Sequence, residues 1–355
     1  MKIIIAYYSS YLLSLSFILF INCASAQKGL FDSDEALQIT LKGSLQNLIN
    51  NRVTAPQYFP FLICLQGKDS NINEIPVQIK TRGHFRKLES NCVYPPLLIN
   101  FFKNKQPQSS IFSSQNKLKL VLPCSENEYV IREWLVYKLY NILTPKSFKA
   151  RLVKVILNEE KTNKSLSGLY GIFIESVKHM AKRNKMHEVE KKLKPQQLQS
   201  DEFLLMTIFQ YLIANTDWSV QYLQNIKLLA EDSLPTPIAV PYDFDQAGIV
   251  NAPYAIPAEE LKMNSIRERR YRGYCLQDYK SFLPIIEKFK KYKTNIYELY
   301  TNCNLISVRY KKSTIQFLDK FYSILNDEKL WQEAFSYPCD KNSTGNVVIK
   351  GLKTD

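Results

Sequence analysis

Residues 213–248 read IANTDWSVQYLQNIKLLAEDSLPTPIAVPYDFDQAG. This stretch combines two short polar loops with apolar runs between them. Asp217 and Asn225 stand on either side of the first loop, and Asp243 and Asp245 follow the second apolar run. Acidic and amide side chains concentrated on loops that flank regular elements are typical of functional sites, because a rigid scaffold can hold such loops in place.

The residues between the two loops predict a hairpin, with strands at 226–230 and 238–240. A hairpin brings its flanking loops together, so three carboxylates and one carboxamide are expected at one place. Such oxygen ligands suit Mg²⁺, which keeps several waters and takes one or two carboxylates and substrate phosphates. A further Asp can orient or deprotonate an attacking hydroxyl, and together these are the parts of phosphoryl transfer. The structural alternative is that Asp217 caps a turn and that Asp243 and Asp245 end a strand.

The N-terminal residues predict a signal peptide over residues 1–26. Lys2 gives a positive start, residues 3–21 are almost wholly apolar, and residues 24–26 read ASA, a small-residue cleavage site. The mature chain is therefore expected to begin at Gln27. A lipoprotein signal and a retained anchor are the alternatives, and no later stretch is long and apolar enough to span a bilayer. We expect an exported protein that is periplasmic, secreted or on the cell surface.

Composition narrows the class of partner. The 355 residues are 45% hydrophobic and 12% aromatic, which predicts a sizeable core, and the formal net charge is +14. A basic balance favours acidic partners such as nucleotides and phosphates, but the charge is spread along the chain and no nucleic-acid partner is expected. Only 10 glycines are present, and neither G-x-x-x-x-G-K nor G-x-G-x-x-G occurs, which excludes both Gly-rich phosphate loops.

The cysteine count is compatible with disulfide bonds. Of seven cysteines, Cys23 falls in the leader, and an even number remains: Cys64, Cys92, Cys124, Cys275, Cys303 and Cys339. An even number in an exported protein allows up to three disulfides. We predict Cys92–Cys124 first, because both lie in adjacent strand-like stretches, and Cys275–Cys303 second. No C-x-x-C spacing occurs and the three histidines are scattered, so zinc is not expected.

The first half of the chain predicts an antiparallel sheet with a helix. Residues 34–41 allow a short helix. Apolar alternation and turn signals predict strands at 58–66, 77–81, 94–101, 118–122, 150–157 and 168–175. Apolar spacing of three and four residues predicts a helix over 130–143.

The second half predicts helices around the acidic loops. The charged stretch 182–200 is interpreted as a solvated helix or a mobile linker. Residues 201–214 form the strongest predicted helix, apolar on most faces and therefore buried, and it leads to Asp217. Residues 279–335 predict amphipathic helix with aromatic faces. The expected fold class is α+β, with a sheet-rich lobe over about 52–178 and a helical lobe over about 179–355 in a single domain.

Seven motifs in this order resemble one known family. They are an Arg82-Gly83 turn after a strand, an IRE helix at 131–133, Arg151 at a strand start, GLYGIFIE at 168–175, N-x-D at 215–217, Asn225, and D-x-D-x-x-G at 243–248. The chain resembles the spore-coat protein H (CotH) kinase family over roughly residues 75–253, as a diverged exported branch of the Bacteroidetes type. The resemblance implies a two-lobed atypical protein-kinase fold that uses ATP and Mg²⁺.

The resemblance also implies roles for individual residues. Asp217 matches the catalytic-loop Asp of the family, Asn225 the metal-side Asn, and Asp243 the metal-binding Asp, with Asp245 as the second acidic residue of that motif. Two further residues are placed near the nucleotide. Glu175 falls where the chain passes between the lobes, beside the expected adenine, and Arg82 lies near the expected phosphates.

Two features depart from the family. Lysines usually follow the RG turn, but residues 92–97 read CVYPPL and contain none. Lys117 or Lys119 on the next predicted strand is the candidate replacement, with an ordinary surface lysine as the alternative. The spacing also differs, because seven residues separate Asp217 from Asn225, whereas the common protein-kinase loop has about four.

Three hypotheses about function remain open at the level of sequence. The first is an exported kinase-like enzyme that phosphorylates a protein Ser or Thr hydroxyl, with Asp217 as base, Asn225, Asp243 and Asp245 at the metal, and Arg82 or Lys119 at the phosphates. The second is a kinase-fold binding protein without phosphoryl transfer, and the third is a metal-dependent hydrolase. In the first hypothesis, the basic cluster at residues 267–272 is the candidate for recognising an acidic target, with a solvated, ion-paired turn as the alternative.

Overall fold

The computed structural model describes residues 29–66, 72–102, 110–276 and 278–337. The predicted signal peptide, residues 1–26, lies outside these residues. Ten strands and eight α-helices lie along these residues. The strands are β1 (Leu37–Gly43), β2 (Phe59–Gln66), β3 (Ile72–Thr81), β4 (Leu97–Phe101), β5 (Lys117–Val121), β6 (Ala150–Glu159), β7 (Ser165–Ile174), β8 (His187–Val189), β9 (Ile226–Glu231) and β10 (Leu234–Pro241). The helices are α1 (Leu45–Asn50), α2 (Asn127–Leu143), α3 (Val177–Arg183), α4 (Ser200–Leu212), α5 (Leu283–Lys291), α6 (Lys293–Thr301), α7 (Val308–Leu325) and α8 (Glu328–Ala334).

Seven strands of the first half form one sheet that closes on itself, in the order β1-β2-β3-β4-β5-β7-β6. Neighbouring strands are antiparallel except β1 and β6, whose parallel pairing closes the sheet. The mixed α+β class is thus confirmed, and the predicted antiparallel sheet is confirmed in part, since one pairing is parallel and the sheet is closed. The closure depends on a pairing between segments more than a hundred residues apart, and local patterns carry no signal for such a contact.

The helix predicted over residues 34–41 is wrong, because this segment continues into β1. Its apolar residues alternate, and Ile39 and Leu41 are buried in the interior of the closed sheet. Alternation with a period of two places every second side chain on one face of a strand. The interior is filled by such residues and by Phe112 from the turn before β5, whose ring makes an edge-to-face contact with that of Phe173.

The second half carries a smaller antiparallel sheet and most of the helices. Its strand order is β10-β9-β8, and α4 packs against β10. The predicted helix over 201–214 and the predicted hairpin are confirmed as α4 and as β9 with β10. The charged stretch 182–200 was predicted to be a solvated helix or linker, but it contains the end of α3 and the edge strand β8. Pairing with β9 stabilises this polar segment as a strand.

One continuous core joins the two halves. Helix α2 packs against β6 and β7 on one side and against α6 on the other. Its buried residues belong to the same cluster as those of α4 and of α5 to α8. The predicted division near residue 178 stays a prediction, since the sheet does end at Ile174 but α2 contacts elements on both sides of that boundary.

The cysteines partly match their predicted pairing. Cys92 and Cys124 form a disulfide with a Cα–Cα distance of 4.4 Å, so the first predicted pair is confirmed. The second pair is wrong, because Cys275 is disulfide-bonded whereas Cys303 is free. A disulfide is compatible with an exported protein.

Within the described residues, none of the helices has the length and apolarity needed to cross a membrane.

Candidate functional site

The loop after α4 holds Asp217 through a buried asparagine. Asn215 is 1% exposed, and its amide donates to the side-chain oxygen of Gln210 on α4 at 3.0 Å. The Asn215 side-chain oxygen in turn accepts the backbone N–H of Asp217 at 3.1 Å. Because helix and loop are tied by a buried amide, the position of Asp217 follows from the packing of α4.

Two carboxamides hold the carboxylate of Asp217. Asn225 Nδ2 donates to Asp217 Oδ2 at 2.9 Å and to the Asp217 carbonyl oxygen at 2.8 Å. Gln224 Nε2 donates to the other carboxylate oxygen. Burial raises the pKa of Asp217 and the charge of Asp243 raises it further, while the two amide donors act in the opposite direction. Both oxygens of Asp217 are therefore fixed in orientation.

The seven-residue spacing between Asp217 and Asn225 has a structural explanation. Ser219 and Gln224 exchange two backbone hydrogen bonds, each of 2.9 Å, so the intervening residues form a small turn. This turn returns the chain to Asp217 and delivers the Gln224 amide to its carboxylate. The longer loop thus adds a hydrogen-bond donor to the site rather than displacing Asn225 from it.

Asp243 lies beside this pair, as the hairpin pattern predicts. Tyr242 donates its backbone N–H to the Asn225 carbonyl at 3.0 Å. Asp243 has a left-handed backbone with φ of 63°, and its N–H donates to the Tyr137 hydroxyl on α2 at 2.9 Å. A left-handed non-glycine residue is uncommon, and Asn and Asp are enriched there. The structure therefore brings Asp217, Asn225 and Asp243 together.

Asp245 turns away from Asp217 into a buried charge cluster. Its carboxylate lies 3.7 Å from Arg86 Nη1 and is hydrogen-bonded by Tyr254. Arg86 Nη1 also lies 3.2 Å from the buried Glu133 of α2. Burial and the charge of Asp243 raise the pKa of Asp245 to about 7, against the effect of Arg86. Burial likewise raises the pKa of Glu133.

Lys119 and Arg82, the two basic residues predicted to bind the nucleotide phosphates, lie on the same side of the site as Asp243. Lys119 on β5 places its ammonium 4.9 Å from the ring centre of Tyr242, the neighbour of Asp243. Burial and the nearby charge of Arg82 lower the pKa of Lys119 to about 8, although Asp243 acts to raise it. Lys119 is thus not an ordinary surface lysine. Arg82 lies in the turn after β3, with its backbone N–H bonded to the Pro96 carbonyl at 2.8 Å.

Glu175 follows β7 at the predicted passage between the lobes, but its carboxylate is engaged within the protein. It forms an ion pair with Arg183 at 2.9 Å and accepts the backbone N–H of Lys149 at 2.9 Å. The side chain is 4% exposed. Its predicted nearness to adenine stays a prediction, and the carboxylate itself serves to join β7 to the segment before β6.

The basic cluster at 267–272 is partly engaged within the protein. The guanidinium of Arg269 donates to the Leu212 and Phe317 carbonyls, and that of Arg272 to the Thr216 and Trp218 carbonyls. Arg270 forms an exposed ion pair with Glu268. Arg272 thereby braces the loop that carries Asp217. Recognition of an acidic target by the remaining exposed part of this cluster stays a prediction.

Several residues of the site were not found from sequence. Gln224, Arg86 and Tyr254 contact its carboxylates, and Tyr137 fixes the Asp243 backbone. The sequence contained only two weak signals for these residues. The extra length of the Asp217–Asn225 loop pointed to Gln224, and an arginine shortly after the Arg82-Gly83 turn pointed to Arg86. Among the described residues, no group of three or more His, Cys, Asp or Glu side chains is placed as a metal site.

Comparisons with known proteins add one similar structure. No protein-family model matches the chain, and no curated protein matches it. Among solved structures, the chain is similar to a Helicobacter pylori proinflammatory kinase CtkA, with 13% sequence identity and a TM-score of 0.39. The match covers 69% of this chain and 90% of that one.

Proposed function

We propose that the protein transfers the γ-phosphoryl group of ATP to a Ser or Thr hydroxyl of a protein substrate, with Mg²⁺ as cofactor. The observation that carries this proposal is the Asp217–Asn225 hydrogen bond beside Asp243. This arrangement places the Asp217 carboxylate, which can accept a proton, close to the side-chain oxygens of Asn225 and Asp243, which can bind a cation. Phosphoryl transfer relies on positioning and on stabilising charge, and it needs both groups in one place.

The residues present fit Mg²⁺. Asn225 turns its amide nitrogen to Asp217, which leaves its side-chain oxygen as the atom suited to a cation, and Asp243 follows the residue whose N–H donates to the Asn225 carbonyl. Mg²⁺ takes one or two protein carboxylates and completes its shell with water and phosphate, so a cluster of three carboxylates is not required. When bound, the ion offsets negative charge on the phosphates. Asp245 supports Asn225 and Asp243 from the buried side of the site, through its contacts with Arg86 and Tyr254.

Asp217 acts as the base in this proposal. The acceptor oxygen forms a bond to the γ-phosphorus as the bond to the ADP oxygen breaks, and the acceptor proton passes to Asp217. The hydrogen bonds from Gln224 and Asn225 hold the carboxylate in one orientation, which reduces the entropy lost on reaching the transition state. Lys119 and Arg82 offset charge on the phosphate oxygens, and Glu175 marks the adenine end of the cleft.

The test is transfer of label from γ-labelled ATP with Mg²⁺ to the protein itself or to an added protein acceptor. Asp243→Ala is expected to abolish Mg²⁺-dependent nucleotide binding. Asp217→Ala is expected to spare that binding and to remove transfer. Asp232→Ala serves as the matched control, because Asp232 is 97% exposed and pairs with His187.

Thermal unfolding with and without Mg²⁺-ATP separates the remaining hypotheses. A ligand that binds only the native state adds about 2.7 kcal/mol at a hundredfold excess over Kd. Stabilisation without transfer to any acceptor indicates the kinase-fold binding protein. Release of phosphate with no acceptor present indicates the hydrolase. Absence of both stabilisation and transfer in the wild-type protein rejects the proposal.

A further inference from the structure

Arg86 is a buried cation behind the proposed metal-side residues, and the proposed function gives it no contact with substrate or nucleotide. It lies in the single turn Phe85–Lys87 between β3 and β4 and is 7% exposed. Nη2 donates to the Leu122 carbonyl after β5 at 2.9 Å. Nη1 reaches Glu133 on α2 at 3.2 Å and Asp245 at 3.7 Å. One guanidinium therefore joins three separate segments beneath the acidic loop.

The two carboxylates that Arg86 joins require such a cation. Glu133 is 1% exposed and Asp245 is 6% exposed. Removing one partner of a buried charge pair leaves the other charge uncompensated, which is strongly destabilising. Asp243 adds a third negative charge nearby, so without the guanidinium charge repulsion would oppose the packing of Phe244 against Tyr137 that also holds the turn at 243–245.

The turn that carries Arg86 is itself held firmly. The Cys92–Cys124 disulfide ties the segment after it to the connection between β5 and α2. Asn91 donates to the Phe85 carbonyl at 2.9 Å. The ring of Phe85 lies 5.8 Å from that of Tyr254, which hydrogen bonds to Asp245. Arg86 is thus presented to Asp245 by a rigid support.

We propose that Arg86 is a positioning residue of this site, which holds the turn at 243–245 through Asp245 and so keeps Asp243 beside Asn225. This inference deepens the proposed function and rests on it for its catalytic meaning. The rival explanation is that Arg86 only neutralises Glu133. The two explanations differ in what should happen once the charge of Glu133 has been removed.

The experiment compares Glu133→Gln with Arg86→Met/Glu133→Gln. In the first variant Arg86 still holds Asp245, so Mg²⁺-ATP affinity and kcat should stay close to wild type. In the second variant Asp245 is the one carboxylate that loses its counter-charge, so far-UV circular dichroism first checks that the chain is folded, and Asp245 is released. Mg²⁺-ATP affinity and kcat should then fall by about tenfold or more, since a small misplacement of reacting groups has effects of that size. Arg86→Lys, which keeps one ammonium, should recover part of the loss, and Arg270→Met is the surface control.

A second measurement does not depend on nucleotide. The backbone N–H of Asp243 donates to the Tyr137 hydroxyl, so its hydrogen exchange reports whether the turn is held. We expect exchange about tenfold faster in the double variant than in Glu133→Gln, with the α4 amides unchanged. Equal Asp243 exchange and equal Mg²⁺-ATP binding in the two variants would overturn the positioning role. If the wild-type protein does not bind Mg²⁺-ATP, the proposed function fails, and faster Asp243 exchange still supports positioning by Arg86.

Discussion

At the scale of single residues, Lys119 has the most informative environment. Its ammonium lies over the Tyr242 ring, half-buried and close to Arg82. Removing a lysine from water and placing it near another cation disfavours its charged form. The depressed pKa of Lys119, about 8, therefore follows from the fold. A phosphate group would be the missing counter-charge at this position.

Lys119 predicts a pH dependence of nucleotide binding. Because its pKa is lowered to about 8, Lys119 is charged at pH 7 and mostly neutral at pH 9. Mg²⁺-ATP affinity should therefore fall by up to about tenfold between those pH values, as the charged fraction falls. Lys119→Arg should remove this dependence, since an arginine stays charged throughout. Titration of nucleotide binding at several pH values checks it, and identical profiles for the two proteins would contradict the role of Lys119.

Gln224 is predicted to act on transfer and not on binding. Its amide donates to Asp217 Oδ1, and a hydrogen bond to a charged group contributes about 1.5–3 kcal/mol. Gln224→Leu should lower kcat about tenfold or more while leaving the Kd for Mg²⁺-ATP unchanged. Tyr222→Phe is the control in the same loop, because Tyr222 is 42% exposed. A parallel loss of nucleotide affinity in Gln224→Leu would instead place Gln224 at the nucleotide.

At the scale of elements, local patterns predicted the segments around the site well. Helix α4 and the hairpin of β9 and β10 lie within a few residues of their predicted bounds. Their apolar periodicity is strong and their partners are close in sequence. The failures are β1 and β8, whose strands form through pairing with β6 and β9. A short segment adopts the structure that its distant partner stabilises, and the sequence of the segment alone does not contain that partner.

The residues of the site fall into the same two groups, those that local sequence predicts and those that it does not. Asp217, Asn225 and Asp243 converge as predicted because a single hairpin links their loops. Arg86 and Glu133 reach the site from a turn and a helix far away in sequence. The whole fold decides whether a charged side chain is buried. The residues next to Arg86 in the sequence therefore do not distinguish it from an arginine on the surface.

The Cys92–Cys124 disulfide joins two elements and should contribute measurably to the free energy of unfolding. It links residues 32 apart in sequence, and closing a loop of that length stabilises a fold by about 3–4 kcal/mol in the chain-entropy treatment. The Cys92→Ala/Cys124→Ala variant should lose roughly that much free energy of unfolding. Cys303→Ala is the control, since Cys303 is free. Arg52 donates to the Lys87, Cys92 and Val93 carbonyls of the same segment. Equal denaturant midpoints for the two variants would show that these hydrogen bonds fix the segment without the disulfide.

At the scale of the whole molecule, two apolar cores share the same strands. On β7, Ile172 and Ile174 belong to the core that contains α2 and the C-terminal helices, whereas Phe173 belongs to the interior of the closed sheet. Side chains of a strand alternate between its faces. Unfolding either core therefore exposes apolar side chains of the other, which couples the two halves energetically.

This coupling predicts a single cooperative unfolding transition. The three tryptophans report from α2 (Trp134), from the loop after α4 (Trp218) and from α8 (Trp331). In guanidinium, fluorescence of variants that keep one tryptophan each should follow the same curve as far-UV circular dichroism, because coincident transitions are the mark of two-state behaviour. If the halves were independent, Trp331 would report an earlier or later midpoint than Trp134. Truncating Phe173 to Ala, which removes a buried ring from the sheet interior, should lower the midpoint at all three positions, since the helices beyond α2 lose the strand that supports them.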